Sequence, residues 1–513
     1  MPLDGLFIRA LTQNLDSELR DTRIDKIHQP EKLDLVFHIR KKNGNSRLLL
    51  SANARWARFH LTNHRLENPT SPPAFCMYLR KHLEGARIID LRQPGWERVL
   101  YIRILALNEF RDWSERLLIG EFMGRHSNII LVDPNTGLIM DAIKRYGNEV
   151  STYREVLPGR PYVPPPSQNK LLPEAATPEL LWSKWCQGSL DLRLSQALFS
   201  AVEGLSPISA AFICERAGLP ALATVGECGE YELNQVYRAL KSIVDTITSG
   251  QIQPAVSPQR PPSDFWLLPL DTDWKPAVDA NNAVDEYYNG RLAAARLESF
   301  KVNINRNITG YLNKLYRKRL AQEQDLAEAR QKEHLRNWGE LLTAYAHEVP
   351  PRASAVQLTD FYSGEPVTIE LQPHLNAIQN AQKYFKTYAK ARVSRDHLQT
   401  FLAQTKAEID YLESVQVALE RAESVDEAEE IIEELTEQKY MKESRKNRKR
   451  AHAETNFRQF TSSDGLTILV GRNNRQNDIL TLRKAAAGDL WLHTKEIPGT
   501  HVILRLNSND TDI

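Results

Sequence analysis

The amino-acid sequence predicts a multidomain α+β protein whose middle is a long antiparallel coiled-coil arm. Short strand-like segments separated by turn residues fill residues 1–170. Two helical patterns flank a Gly-Leu-Ser-Pro turn in residues 171–275. Two long charged stretches in residues 283–440 carry narrow apolar stripes. A basic linker at 441–456 and the start of a truncated α+β domain at 457–513 complete the predicted order.

Composition narrows the class of protein. The chain has 513 residues, and 66 Lys and Arg against 65 Asp and Glu leave a net charge of +1, so overall charge indicates no partner. Four cysteines without a CxxC pair predict a reduced, cytoplasmic protein rather than a disulfide scaffold. The N-terminus does not resemble a signal peptide, and no apolar run approaches the ~20 residues of a membrane helix. We therefore expect no membrane association.

The N-terminal domain is predicted to combine helices with antiparallel strands. Apolar residues recur with helical spacing from Phe7 to Leu19, and Asp4 is suited to cap this helix. Lys42–Asn45 is a hairpin signal, and a second helix covers Ala74–Leu83. The predicted strands are Arg23–Gln29, Lys32–Arg40, Ser46–Ser51, Arg55–Leu61, Arg87–Gln93, Arg98–Leu107, Arg116–Ile119 and Ile129–Val132.

Gly95–Arg98 is a candidate ligand-binding turn at the start of a strand. Adjacent residues in a strand point to opposite faces, whereas in a turn Glu97 and Arg98 can converge on one ligand. The alternative is an ordinary surface turn with a solvated charge pair.

Glu121–Asn128 is a second candidate, because it combines glycines and a carboxylate with Arg125, Ser127 and Asn128. Glycine lets backbone N–H groups approach a phosphate or sugar, and arginine pairs with phosphate. The alternative is a β-hairpin with a Gly-rich turn. His126 lacks a second metal-type residue at ligand spacing, so we expect neither a metal nor a cofactor.

Two helices around Gly204–Pro207 form a helix-hairpin-helix pattern within Ala197–Gly218, the second helix being capped by Ser206. Such hairpins place helix N–H groups against a nucleic-acid phosphate, although many bind nothing. Pro158–Pro166 and Gln253–Pro262 are predicted to be Pro-rich linkers.

The arm over 283–440 is predicted to be a helical hairpin, because an apolar stripe this narrow requires a partner helix. The polar Arg319 and Gln322 interrupt the first stripe, and two helices of a compact bundle are the alternative. The stripe residues are Ile308, Leu312, Leu315, Leu326, Leu335, Trp338, Leu342 and Tyr345 in the first helix, and Leu398, Leu402, Ile409, Leu412 and Leu419 in the second.

The middle of the arm, at about 347–375, is predicted to be a small tip with a β-hairpin from Ala355–Leu358 and Pro366–Leu371. The second helix then opens with aromatics and lysines. Lys383, Tyr384 and Lys386 are candidates for contact with RNA or protein, and the alternative is aromatic packing against the tip.

The last part of the chain changes sign of charge and returns to strands. Glu423–Glu437 is acidic, and a basic run follows it. We interpret this run as a candidate for phosphate contact, and the alternative is a solvated linker. Beyond it we predict strands at Leu466–Val470, Leu490–His493 and from Gly499, and a polar loop at Gly471–Asp478, with too few strands to close a sheet. The phosphate-contact candidates in the basic run are Arg445, Lys446, Arg448, Lys449 and Arg450.

Four tracts, in this order around a helix-hairpin-helix and a coiled coil, resemble the NFACT family over nearly the whole chain. They are Gly95–Arg98, Glu121–Asn128, Asn380–Tyr388, and Gly471–Asp478 with Asp489–Ile503. The family includes bacterial RqcH-like proteins, also known as fibronectin-binding-protein-A-like, and NEMF-like proteins. The resemblance implies an N-terminal domain like that of formamidopyrimidine-DNA glycosylases and a C-terminal NFACT-R-like domain.

The resemblance also implies a role in ribosome-associated quality control. Proteins of this family bind an obstructed large ribosomal subunit that carries peptidyl-tRNA with its nascent chain. They recruit tRNA, in bacteria alanyl-tRNA, for template-independent C-terminal tailing. Because the ribosomal peptidyl-transferase centre does the chemistry, we expect no catalytic residues, no enzyme activity and a monomer on the ribosome.

Carried over residue by residue, the family's tRNA-handling acidic–Arg pair falls on Glu97 and Arg98, where the family usually has Asp first. The second tract falls on Glu121, Phe122 and Met123, and Asp4 matches an acidic position. Two alternatives remain: a cell-surface fibronectin-binding adhesin, disfavoured without a signal peptide, and a DNA-binding glycosylase-like protein. Pro2 is followed by Leu3 rather than the glycosylase acid, which argues against lesion chemistry.

Overall fold

The computed structural model describes residues 3–41, 44–442, 457–494 and 499–506. Within it the chain forms two compact units, Met1–Leu292 and Ala293–Ile513. The candidates Arg445, Lys446, Arg448, Lys449 and Arg450, and also Pro2, lie outside the described residues. The finer boundaries at residues 170, 275, 440 and 456 stay predictions.

The first unit is built on one sheet that contains nine strands within the described ranges, in the order β4-β3-β2-β1-β5-β6-β7-β8-β9. Every neighbouring pair is antiparallel. The strands are β1 Arg23–Glu31, β2 Asp34–Lys41, β3 Gly44–Ser51, β4 Arg58–Leu61, β5 Arg87–Arg92, β6 Val99–Leu107, β7 Trp113–Glu121, β8 Asn128–Asp133 and β9 Leu138–Ala142. Predicted strands match eight of these; β9 was not predicted.

Two helices accompany this sheet, α1 Gly5–Leu19 and α2 Ala74–Leu83. Asp4 caps α1, because its carboxylate accepts from the Phe7 N–H at 2.9 Å. The apolar face of α1 is buried against β4, β5 and β6. The predicted helix and its cap are confirmed.

The rest of the first unit is helical and shares the same hydrophobic core. Its helices are α3 Pro178–Trp185, α4 Leu194–Ala201, α5 Pro207–Arg216 and α6 Glu230–Thr248, followed by the short strands β10 Ala255–Val256, β11 Phe265–Trp266 and β12 Lys275–Pro276. The Pro-rich linker predicted at Gln253–Pro262 is corrected: Val256 on β10 and Phe265 on β11 are buried core residues. Two-residue strands are too short to show the alternation that predicts longer ones.

Long helices dominate the second unit. α7 Ala280–Gln331 ends in this unit, α8 His334–Ala344 follows it, and α9 Ala377–Arg421 and α10 Val425–Glu437 come later. Lys301 donates to the Glu420 carbonyl at 2.7 Å, Tyr316 donates to Glu413 at 2.6 Å, and Arg395 pairs with Glu333. In these contacts the residue numbers increase along α7 as they decrease along α9. The two helices therefore run antiparallel, and the predicted pairing is confirmed.

Two features of this pairing differ from the prediction. The first helix is interrupted after Gln331 rather than running on to Tyr345. α10 is a third helix: Ala428, Ile431 and Leu435 pack with the buried residues of α7 and α9.

The predicted tip hairpin is confirmed as β13 Ala355–Thr359 and β14 Pro366–Glu370. Tyr384 packs there, with its ring 5.5 Å from that of Trp338 and its hydroxyl donating to the Glu370 carbonyl.

The described C-terminal residues form a sheet in the order β15-β16-β18-β17, which corrects the expectation that too few strands remain. The elements are β15 Arg458–Thr461, β16 Thr467–Val470, α11 Asn474–Ile479, a π-helical turn Leu480–Lys484, β17 Leu490–Leu492 and β18 Val502–Leu504. The loop predicted at Gly471–Asp478 contains α11, because Asn473 accepts from the Gln476 N–H and caps a helix there.

Candidate functional site

Four separate segments of the first unit line one pocket of about 140 Å³. They are the start of α1, the turn before β6, the chain at Gln168 and Lys170, and α4 with the loop that follows it. The lining residues that carry charge or cap a helix are Asp4, Glu97, Arg98, Lys170, Glu203 and Ser206. The structure thus brings three sequence-predicted candidates, Asp4, Glu97 and Arg98, to one place.

Glycines make this close approach possible. A Cβ on Gly5 would lie 1.9 Å from the Trp96 carbonyl oxygen. Gly204 has φ +82°, in the left-handed region, and a Cβ there would lie 2.8 Å from Trp96 Cβ. The Gly5 N–H donates to the Gly204 carbonyl at 2.8 Å. These contacts fix the α4–α5 loop against the N-terminus of α1.

Asp4 joins two helices beneath the pocket. Besides capping α1, its carboxylate accepts from Ser206 Oγ at 2.9 Å, and Ser206 in turn caps α5. Burial raises the pKa of Asp4, although the hydrogen bonds from Phe7, Ser209 and Ser206 and the charge of Arg98 oppose that effect. Asp4 is therefore placed to position the pocket wall.

Trp96 fixes the turn that carries Glu97 and Arg98. Its backbone N–H donates to Glu203 Oε1 at 2.7 Å, and its indole Nε1 donates to Glu174 at 2.8 Å. The guanidinium of Arg9 lies 4.7 Å from the centre of the Trp96 ring. A buried tryptophan held at both nitrogens leaves the following two residues little freedom.

Besides Asp4, Glu97 and Arg98 share the pocket with the cation of Lys170 and the carboxylate of Glu203. Burial raises the pKa of Glu97, and Glu203 raises it further, whereas Arg98 and Lys170 favour its charged form. Burial lowers the pKa of Lys170, whose Nζ lies 4.2 Å from the centre of the Phe199 ring.

This mixture of charges suits a nucleotide. Arginine and lysine pair with phosphate, and carboxylates accept from the amino groups of bases. Sequence reasoning missed Lys170 and Glu203, because they lie far from Gly95–Arg98 in the chain and no local motif marks them.

The second tract connects β7 to β8, so the hairpin alternative is confirmed for its local structure. Glu121 is buried and pairs with both terminal nitrogens of Arg154, at 2.7 and 2.6 Å. It also accepts from the Tyr162 hydroxyl at 3.0 Å. The Phe122 N–H donates to the Arg98 carbonyl at 2.9 Å, which joins the two tracts.

The remaining candidates of this tract are mostly engaged within the hairpin. Ser127 Oγ accepts from the Met123 N–H at 2.8 Å and donates to the Gly124 carbonyl. Asn128 exchanges hydrogen bonds with the backbone of Lys144. The structure therefore places the buried Glu121, Phe122, Ser127 and Asn128 behind the surface, and their role in tRNA recruitment stays a prediction.

Arg125 is the exposed cation of this tract, and its Nε contacts His126 Nε2 at 2.9 Å. On α9, Lys383 and Lys386 are exposed, while Tyr384 is half-buried in the tip as the packing alternative predicted.

Within the part of the chain that the structure describes, no group of three or more His, Cys, Asp or Glu side chains is arranged to hold a metal ion. Every described helix is too short or too polar to cross a lipid bilayer.

Comparison with known proteins places two family models on the chain. The model for the NFACT N-terminal and middle domains matches residues 4–454, and that for the NFACT protein RNA binding domain matches residues 456–513.

Individual relatives agree with these matches. The Rqc2 homolog RqcH of Bacillus subtilis is 35% identical over 519 residues, covering 99% of this chain and 88% of that protein. The Rqc2 homolog RqcH of Streptococcus suis is 35% identical, covering 100% and 88%. The human ribosome quality control complex subunit NEMF is 25% identical over 126 residues, covering 25% and 11%.

Proposed function

This chain is a member of the NFACT family, and on that basis we propose that it is a ribosome-associated quality-control factor. The observation that carries the proposal is the similarity to RqcH of Bacillus subtilis along 99% of the chain. The name of the human relative, a ribosome quality control complex subunit, agrees with the same role.

In the proposed mechanism the protein binds a large ribosomal subunit that is obstructed by peptidyl-tRNA and its nascent chain. It recruits alanyl-tRNA and so promotes template-independent C-terminal tailing. The peptidyl-transferase centre forms the peptide bonds, so the protein provides binding and positioning rather than covalent catalysis. We expect it to act in the cytoplasm as a monomer on the ribosome, without a cofactor.

The pocket in the first unit is the proposed tRNA-handling site. Arg98 and Lys170 would pair with backbone phosphate, while Glu97 and Glu203 would accept from base amino groups. Arg125, exposed on the neighbouring hairpin connection, would add a further phosphate contact. We also propose that the sheet domain is glycosylase-like and that α4 and α5 form a helix-hairpin-helix. Both features suit nucleic-acid binding.

The experiment that tests the proposal is sedimentation of the purified protein with dissociated large subunits, followed by sequencing of the bound tRNA. We expect co-sedimentation and enrichment of tRNA specific for alanine. Recovery of most of the protein outside cells, with none in ribosome fractions, would contradict the proposal and favour the adhesin. Cleavage of lesion-bearing DNA that is abolished by substituting Pro2 would favour the glycosylase alternative.

A further inference from the structure

Three arginines of the C-terminal domain lie against the acidic face of α10. Arg458 contacts Glu423 at 3.3 Å and Glu427 at 3.3 Å through its two terminal nitrogens. Arg472 contacts the other oxygen of Glu427 at 3.1 Å. A single carboxylate of α10 thus bridges two arginines, one at the start of β15 and one after β16.

The contact continues along the helix. Arg475 lies 3.5 Å from Glu437 and 3.9 Å from Glu433. The carboxylate of Glu430 accepts from Asn473 at 2.9 Å and from Gln476 at 2.7 Å. Residues three and four apart share one face of a helix, so these carboxylates form a continuous acidic row.

The two faces of α10 have different partners. Its apolar face, with Ala428, Ile431 and Leu435, packs against buried residues of the long helices. The acidic row faces the C-terminal domain instead. The helix would therefore keep its place on α7 and α9 even if the C-terminal domain moved away from the row.

Charge in this contact is unbalanced. Four carboxylates, from Glu423, Glu427, Glu433 and Glu437, contact the three arginines. Two more, from Glu430 and Glu434, accept hydrogen bonds from amide side chains of the same domain. The arginine side chains are 24–36% exposed, so water and salt reach them. Partly exposed ion pairs are individually weak, and a stronger anion competes for them.

We propose that Arg458, Arg472 and Arg475 form a phosphate-binding face for single-stranded RNA, which the carboxylates of α10 cover in the absence of RNA. Guanidinium groups bind carboxylate and phosphate with the same forked geometry, so one set of arginines serves both partners. The inference rests on the RNA-binding family of residues 456–513 and not on ribosome binding or tailing. The competing explanation is that the ion pairs fix the domain on α10 permanently.

Removing the negative charges of α10 distinguishes these explanations. The variant Glu427→Gln, Glu433→Gln, Glu437→Gln keeps the hydrogen-bonding side chains and removes the α10 carboxylates that contact the three arginines. Affinity of the full chain for a labelled 20-nucleotide oligouridine is measured by fluorescence anisotropy. Both this variant and its control are made in a Glu97→Ala, Arg98→Ala background, so that the pocket of the first unit does not contribute.

We expect the dissociation constant to fall about threefold or more, because the RNA no longer competes with three carboxylates. The matched control is Glu298→Gln, Glu328→Gln, Glu408→Gln, which removes the same charge from exposed positions on α7 and α9. It should leave the affinity close to that of the background. Unchanged or weaker binding by the α10 variant would overturn the proposal.

The arginines are tested by Arg458→Gln, Arg472→Gln, Arg475→Gln against the exposed set Arg306→Gln, Arg317→Gln, Arg330→Gln. Losing three phosphate contacts should weaken binding and reduce the slope of log affinity against log salt by about 2. An unchanged slope would overturn the assignment. The oligouridine assay contains no ribosomes, so its outcome is independent of the proposed quality-control role.

Discussion

Glu121 and Asp4 organise the candidate site from below its surface. Glu121 binds Arg154 with both oxygens, and the two side chains are 0% and 7% exposed. Asp4 connects the caps of α1 and α5. Both residues can influence the pocket without contacting a ligand, because each fixes the backbone that carries the pocket residues.

Glu121→Ala should strongly destabilise the first unit, since it leaves the buried guanidinium of Arg154 without its carboxylate. We expect a loss of about 3–5 kcal/mol in the free energy of unfolding, measured by urea denaturation. The control is Glu109→Ala, which removes the same group from the exposed pair with Lys81 and should change stability little. Similar losses in the two variants would contradict the structural role of Glu121.

The raised pKa of Asp4 leads us to expect that the free energy of unfolding depends on pH. Burial raises its pKa in the folded protein above the ordinary 3.8, so the folded state binds this proton more tightly than the unfolded state. The contribution of Asp4 to the free energy of unfolding therefore falls as pH rises from about 4 through the raised pKa. Asp4→Asn removes this titration. Urea denaturation at pH 4–7 should show a difference between wild type and variant that changes with pH; a constant difference would contradict the shift.

The loop between α4 and α5 requires glycine at position 204. Gly204 and Gly218 have similar angles, φ +82° and +77°, but only at Gly204 would a Cβ meet Trp96, whereas open space surrounds Gly218. Gly204→Ala should cost at least about 1 kcal/mol more than Gly218→Ala in urea denaturation. It should also weaken tRNA recruitment, because Trp96 fixes the turn at Glu97. Equal effects of the two substitutions would argue against the close contact.

In the long-helix pair, the polar interruption at Gln322 is buried on α7, and its Oε1 lacks a hydrogen-bond partner in the described structure. Gln322→Leu should raise the free energy of unfolding of the second unit by on the order of 1 kcal/mol, since a buried unsatisfied oxygen is removed. Gln324→Leu, at an exposed position of the same helix, should not. Calorimetry of the full chain compares the two, and no gain in the first variant would contradict the burial of Gln322.

Local signals in the sequence predicted elements well where capping and periodicity agree. Ala74–Leu83 was predicted and found with the same bounds, and Ser206 caps α5 as expected. Gly471–Asp478 was predicted to be a loop because its composition is polar, although Asn473 caps a short helix there. The pocket was predicted only in part. Glu97 and Arg98 stand in a recognisable turn, whereas Lys170 and Glu203 reach it only through tertiary packing, which no local pattern encodes.

At the scale of the whole molecule, family membership and the pocket support the same proposal. The family models together match residues 4–454 and 456–513, so the similarity includes the sheet domain, the long helices and the C-terminal strands. The resemblance to the family implies Asp at the position of Glu97, a difference of one methylene group. Because Glu97 shares its pocket with Arg98 and Lys170, we expect the longer side chain to keep its function.

The central claim is that the pocket of the first unit handles tRNA while other surfaces bind the ribosome. The most direct test compares Glu97→Ala, Arg98→Ala with the wild type in sedimentation with obstructed large subunits, with sequencing of the bound tRNA. The control is Lys81→Ala, Glu109→Ala, which removes an exposed pair of the same net charge from the same sheet domain. We predict that the first variant keeps most ribosome binding and loses recruited tRNA, while the control keeps both. Undiminished tRNA in the first variant would contradict the claim.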